Sequence, residues 1–306
     1  MKKIGRILFP TDYSPFSNDT IEYAIAFALE YKARLYIMHV VELSTKDPAD
    51  PMYKKPNLTD YTDVHNFIKG STARQLKGAK LSSKKFEYEE IHEMGLSASR
   101  EIVKAARKKS ADLIVMASLG AGFLKKLLLG STTERVIKEA ACPILVTMKG
   151  ARDFVDFKAD KIKIRSIVCP VDFSACSIRA VEAASDFAER FGAEVVLLHV
   201  IEEHSQKLDF FIEHFKPGEL EKKLKASGKK QLEVLAGKYI GKKIKHSLSV
   251  MIGNPKKDIA AFAKKKKADL IILGAYGRGE KDGLDFSGSV LLKVVKGADC
   301  PVLIVR

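Results

Sequence analysis

The sequence predicts two α/β domains in tandem, each a five-stranded parallel sheet with helices on both faces. Three observations carry that prediction. The apolar run 113–116 is bounded by turn residues, as expected of a strand buried on both faces. Strand-like runs alternate with helical patterns along the chain, the signature of parallel β-α-β units. The whole arrangement then occurs a second time. Pro10, Asp12 and Ser14 match Pro170, Asp172 and Ser174, and His39-Val40-Val41-Glu42 matches His199-Val200-Ile201-Glu202. Further on, Gly95 matches Gly253, Asp112-Leu-Ile matches Asp269-Leu-Ile, and Cys142-Pro143 matches Cys300-Pro301. Matches in constant order at nearly constant spacing identify an internal duplication.

In the first copy the sheet opens at 7–9, and Ile21, Ala24, Ile25, Ala28 and Leu29 form one apolar helical face. Strand two is 35–41. A polar, proline-bearing excursion over 43–56 leads into a helix over 58–78, and strand three falls at 86–91. A third helix over 98–108 precedes strand four at 113–116, a fourth helix starts at Ser131, and 144–148 closes the unit. The second copy places its strands at 164–169, 194–201, 244–251, 270–273 and 302–305. The linker lies within 149–163, charged and without glycine after Gly150, and reads as a short tether. The domains are therefore expected at 1–150 and 160–306.

A chain of 306 residues exceeds what one core usually organises. The apolar run at its start is three residues long and ends in Pro10, too short for a signal peptide, and no apolar segment approaches the roughly 18 residues of a membrane span. The expected compartment is the cytoplasm. The four cysteines form no Cys-x-x-Cys pair and read as small buried residues, so neither zinc nor disulfides are indicated. The net charge of +15 comes mostly from lysine on predicted helix faces, without interleaved aromatics. Reading bases calls for arginine, and stacking on single strands calls for exposed aromatics, so nucleic acid is a disfavoured partner and solvated faces are the expectation.

In open parallel sheets ligands bind beyond the carboxyl ends of the strands, where strand order reverses. Asp12 after strand one, Val40 at the end of strand two and the loop after strand four converge there. Gly120, Gly122 and Gly130 bracket that loop, and Gly130-Ser131 begins a helix whose N–H groups and dipole suit an anion. The same stretch also reads as a helix cap with a glycine turn. Spacing alone names no ligand. His39 and His199, at matching strand ends without a ligand cluster around them, read as structural.

Pro-Thr-Asp-x-Ser after strand one, Leu-x-x-x-His-Val at strand two and Ala-x-x-Gly-x9-Gly-Ser after strand four together resemble a universal stress protein domain. Both halves carry the set, so the chain resembles a tandem universal stress protein over all but the linker. That resemblance implies a flavodoxin-like, adenine-nucleotide alpha hydrolase-like sheet of order 3-2-1-4-5 in each half. It implies ATP or a related adenine nucleotide as ligand, with magnesium left open. Gly120, Gly130 and Ser131 would hold phosphate or ribose with Thr132 and Thr133 adding donors, and Pro10, Thr11 and Asp12 would border the adenosine. Val40 would meet the adenine edge, and Met116 and Ala117 would lead into the loop. Ala117 stands where the pattern has glycine, at a cost on the order of 1 kcal/mol if positive φ is needed.

In the second copy Asp172, Val200, Gly274, Gly277, Gly288 and Ser289 hold the corresponding places. There the spacing is x10, and Glu280, Asp282 and Asp285 replace the loop lysines Lys125 and Lys126, so the first copy is favoured for nucleotide. No P-loop, nucleophile elbow or zinc-protease motif occurs, which leaves at most slow ATP hydrolysis. The resemblance further implies antiparallel pairing of 144–148 with 302–305 as an intramolecular pseudo-dimer, covering two sheet edges. Homodimerisation of the chain and the identity of a protein partner stay open. The alternative is a protein-interaction module that has lost nucleotide binding.

Overall fold

The computed structural model describes residues 3–42, 61–81, 85–119, 129–148, 150, 153–156, 161–203, 217–277 and 290–306. They form two compact units, Lys3–Lys163 and Ile164–Arg306. The first unit runs β1 (Arg6–Pro10), α1 (Pro15–Tyr31), β2 (Arg34–Glu42), α2 (Tyr61–Gly78), β3 (Tyr88–Gly95), α3 (Ala98–Lys108), β4 (Leu113–Ala117), α4 (Ser131–Glu139) and β5 (Ile144–Thr147). Its strands are parallel in the order β3-β2-β1-β4-β5. Ile7, Leu8, Phe9 and Leu113 to Val115 are fully buried at the centre of the sheet, because helices cover both of its faces.

The second unit repeats the order as β10-β9-β8-β11-β12. Its strands are β8 (Ser166–Pro170), β9 (Glu194–Glu202), β10 (His246–Gly253), β11 (Leu270–Gly274) and β12 (Val302–Val305). Its described helices are α5 (Ala175–Phe191), α6 (Pro217–Tyr239), α7 (Pro255–Lys265) and α8 (Val290–Gly297). The same clamp starts both sheets. Asp112 Oδ2 accepts the N–H groups of Gly5 and Arg6, and Asp269 Oδ2 accepts those of Arg165 and Ser166. The matching Asp-Leu-Ile tripeptides therefore tie the start of each fourth strand to the start of the first.

Two expectations change. Strand three extends to Gly95 rather than ending at 91, because β3 lies at the sheet edge and carries Glu89, Glu90, His92 and Glu93. No hydrophobic alternation marks its end; register with β2, from Leu35↔Tyr88 to Glu42↔Gly95, does. The linker is more than a tether. Val155–Asp156 (β6) and Lys161–Ile162 (β7) pair antiparallel, and buried Phe154 meets Tyr23 and Phe27 of α1 with ring centroids 5.0 and 6.1 Å away. Sparse apolar residues in a charged stretch concealed this hairpin.

Candidate functional site

Each unit has a cleft at the carboxyl ends of its central strands. The chain leaves β1 through Pro10-Thr-Asp-Tyr-Ser14 and enters α1 with Ser14 as N-cap, its hydroxyl accepting the Ser17 N–H. Asp12 Oδ1 accepts the Ser14 N–H at 3.0 Å and the Ser17 hydroxyl. Between them Tyr13 is left-handed, φ 58°, and Phe173 in the second unit has φ 64°. A non-glycine residue in that region costs about 1 kcal/mol or more. Ring packing offsets it: Tyr13 lies 4.8 Å from His39, and Phe173 lies 4.7 Å from His199. His39 Nδ1 stands 2.8 Å from the Thr11 carbonyl and His199 Nδ1 2.7 Å from that of Val171. A carbonyl only accepts, so each Nδ1 carries the proton and each histidine pins the turn after strand one. Among the described residues no cluster of three or more His, Cys, Asp or Glu could hold a metal.

On the far side of the first cleft the Ser118 N–H donates to Thr147 O, the Gly130 N–H to Ser118 O, and the Thr133 hydroxyl to Ala117 O at 2.8 Å. These bonds draw the start of α4 onto the end of β4, with Gly130, which has no side chain to cap with, as its N-cap. The cavity so enclosed is about 230 Å³. It brings together Pro10, Thr11, Asp12, Val40, Met116, Ala117, Gly130, Ser131, Thr132 and Thr133; Gly120 lies outside the described residues. Thr11 contributes mainly backbone, since its hydroxyl bonds Gln75 and accepts the Tyr13 N–H. Ala117 keeps a negative φ, so alanine carries no backbone penalty there. Sequence reasoning missed Ser17, Leu119, Ala98 and Ile102, which complete the wall. The apolar periodicity of helix three was the available signal for Ile102.

The second cleft measures about 510 Å³ and is lined by Asp172, Val200, Gly274 and Gly277, with Gly288 and Ser289 outside the described residues. Lys125, Lys126, Glu280, Asp282 and Asp285 also fall outside them. Residues not foreseen here are Glu202, Pro255, Lys256, Ile259 and Tyr276. Gly274 is required by packing: a Cβ there would lie 2.7 Å from the Cys176 carbonyl carbon. Gly130 is not so constrained, since a Cβ would stop 3.4 Å from Ser118 O, an ordinary contact.

A doubly wound parallel sheet with a cleft at its switch point places each unit among the α/β domains built to receive a ligand at the strand ends. Comparison with known proteins then gives the family. The sequence profile of the Universal stress protein family matches residues 3–147 and 163–306, and the chain belongs to that family, with two such regions in tandem. Universal stress protein MJ0531 of Methanocaldococcus jannaschii is 36% identical over 150 residues, covering 48% of this chain and 84% of that protein. Universal stress protein YxiE of Bacillus subtilis is 30% identical over 147 residues, 46% of this chain and 97% of its own. A universal stress protein structure from Archaeoglobus fulgidus shares the fold across 99% of this chain and 97% of its own, with a TM-score of 0.66 at 21% identity. Among the described residues no helix is long and apolar enough to cross a membrane.

Proposed function

We propose that the chain is a cytoplasmic stress-response or signalling protein that binds ATP or a related adenine nucleotide in its first cleft without efficient turnover, occupancy biasing its conformation or its choice of partner. The observation that carries this reading is the start of α4. Gly130, Ser131 and Thr132 present a helix N-terminus at the cleft, uncapped among the described residues, opposite Asp12 and Val40. Among the described residues the absence of a side chain at Gly130 answers no packing need, which fits close approach by a ligand. Slow chemistry fits the lining: Asp12 is the one carboxylate among the described residues of this cleft, and its Oδ1 holds the turn by accepting from Ser14 and Ser17. Magnesium, and pairing of the two C-terminal strands within the chain, belong to the same reading.

The small molecules released from purified, denatured full-length protein test it directly. An adenine nucleotide is expected, and titration with ATP, with and without magnesium, should reproduce the binding. Hydrolysis well above about 1 per second, in the ordinary enzyme range, and abolished by Gly130→Val, would refute the absence of efficient turnover. One observation favours the alternative of an interaction module for the first copy: its cavity of about 230 Å³ is below the roughly 300–1,000 Å³ usual for ligand pockets. Absence of any bound or added nucleotide would decide for that module.

A further inference from the structure

The copies differ where strand two meets helix three. In the first unit Glu42, the last residue of β2, accepts the N–H of Ala98 at 2.5 Å, so its carboxylate caps α3. The residue matching Ala98, the first of α7, is Pro255, which has no N–H to give. Asn254 caps α7 instead, accepting the Lys256 N–H, and Asp258 reaches back to the Asn254 N–H. Glu202, the counterpart of Glu42, is thereby released. It lines the second cleft together with Lys256. Among the described residues neither its carboxylate nor the Lys256 ammonium has a hydrogen-bond or salt-bridge partner. Among the described residues the first cleft has no charged residue at this end; Ala98 and Ile102 stand there.

Charges of both signs at one end of a cavity do not suit a phosphate, which the carboxylate would repel. The phosphate end is the opposite one, where the cleft is lined by Gly274, Gly277 and Val290 at the start of α8. A base would then lie against Val200, Ile259, Glu202 and Lys256. A carboxylate accepts from two adjacent donors and an ammonium donates to a carbonyl. Guanine offers that set on one edge, N1–H and the N2 amino group beside O6, whereas adenine presents an acceptor and an amino donor in those places. We infer that the second cleft takes a guanine nucleotide, selected by Glu202 and Lys256, and that Pro255 makes this possible by withholding the N–H that occupies Glu42 in the first copy. The inference rests on reading these clefts as nucleotide sites. The larger cavity, about 510 against 230 Å³, accommodates the added group.

The test is calorimetric titration of the full chain carrying Gly130→Val, which obstructs the first cleft, with GDP, IDP and ADP, each variant first checked for an unchanged melting transition. GDP should bind about tenfold or more tighter than ADP, a good bidentate pair being worth about 1–3 kcal/mol of discrimination. IDP, lacking the N2 amino group, should fall between them. Glu202→Gln should bring GDP to the level of ADP. Pro255→Ala should do the same while leaving the Glu202 and Lys256 side chains in place, because the restored N–H claims the carboxylate. Equal affinity for GDP and ADP, or a preference indifferent to both substitutions, overturns the inference, as does failure of all three to bind. ATP binding by the chain with Gly130 intact separates the outcomes: if it persists while the guanine preference is absent, only this inference falls, and if it too is absent, the nucleotide reading falls with it.

Discussion

Strand four ends in Ala117 in one copy and in Gly274 in the other, and the contrast shows what a motif glycine is for. The first turn of α5 crosses so close to β11 that a methyl at position 274 would lie 2.7–2.9 Å from the backbone and Cβ of Cys176. In the first unit Ala117 keeps its methyl and an ordinary φ, and the residue matching Cys176 is Phe16. The glycine of the second copy therefore serves helix packing first. Gly130, whose missing side chain no described residue requires, is the one whose absence of a Cβ fits the proposed approach of a ligand.

That contrast predicts unequal responses to the same substitution. Gly274→Ala should destabilise the second unit by about 1–3 kcal/mol, the usual cost of overpacking, whereas Gly130→Ala should cost under about 1 kcal/mol. Urea unfolding of the full chain, followed by probes in each unit, measures both. Equal losses would break the comparison.

The aromatic residues after the two cleft aspartates give the next test. Burial pushes the Tyr13 hydroxyl up to about 12 from 10, against the smaller opposing effect of its hydrogen bond to Thr72. The folded state thus holds its proton more tightly than the unfolded state. The resulting stability is complete below pH 10 and lost as pH rises toward 12, roughly 2–3 kcal/mol in all. Phe173 has no such proton, so this part of the alkaline loss belongs to the first unit and should vanish in Tyr13→Phe, while burial, which pushes the Cys169 thiol up, gives the second unit an alkaline loss of its own that the variant leaves in place. That variant should cost about 1 kcal/mol at neutral pH for the lost hydrogen bond. A loss of the same size persisting in Tyr13→Phe would assign it elsewhere.

The smallest effect concerns Glu22, which is buried, while its counterpart Glu182 is exposed. Desolvation raises the Glu22 pKa although its carboxylate accepts the N–H groups of Lys80 and Leu81. A raised folded value means stability present at low pH and lost as pH rises above the ordinary value of 4.5. Glu22→Gln should therefore gain on the wild type, by under about 1 kcal/mol, as pH climbs from 4 toward 7, while Glu182→Gln should show no trend. Parallel pH profiles for the two variants would contradict this.

Much of the fold was legible because the duplication let each copy check the other. Asp112 and Asp269, or Ser14 and Ser174, recur because they make the same bonds to the same backbone groups. Less was legible where partners are remote in sequence. Nothing local to Glu202 shows that it lacks the bond Glu42 makes; that follows only when β9 is laid beside the first turn of α7. The hairpin at 155–162 was hidden for a similar reason, since Phe154 acquires its meaning from Tyr23 and Phe27. The cleft residues at the strand ends and the start of α4 came from the resemblance to the universal stress protein motifs, whereas Ala98 and Ile102 belong to a helix that no ligand motif marks.

In the proposed function the first cleft holds adenine nucleotide through the start of α4. The most direct measurement is titration of ATP with magnesium into the full chain and into Gly130→Val, with melting followed in parallel. Binding is expected in the first case, with about 2.7 kcal/mol of added stability at 100 times the dissociation constant, and its loss in the second. ATP binding undiminished by Gly130→Val, or no binding by the unaltered chain, would contradict it.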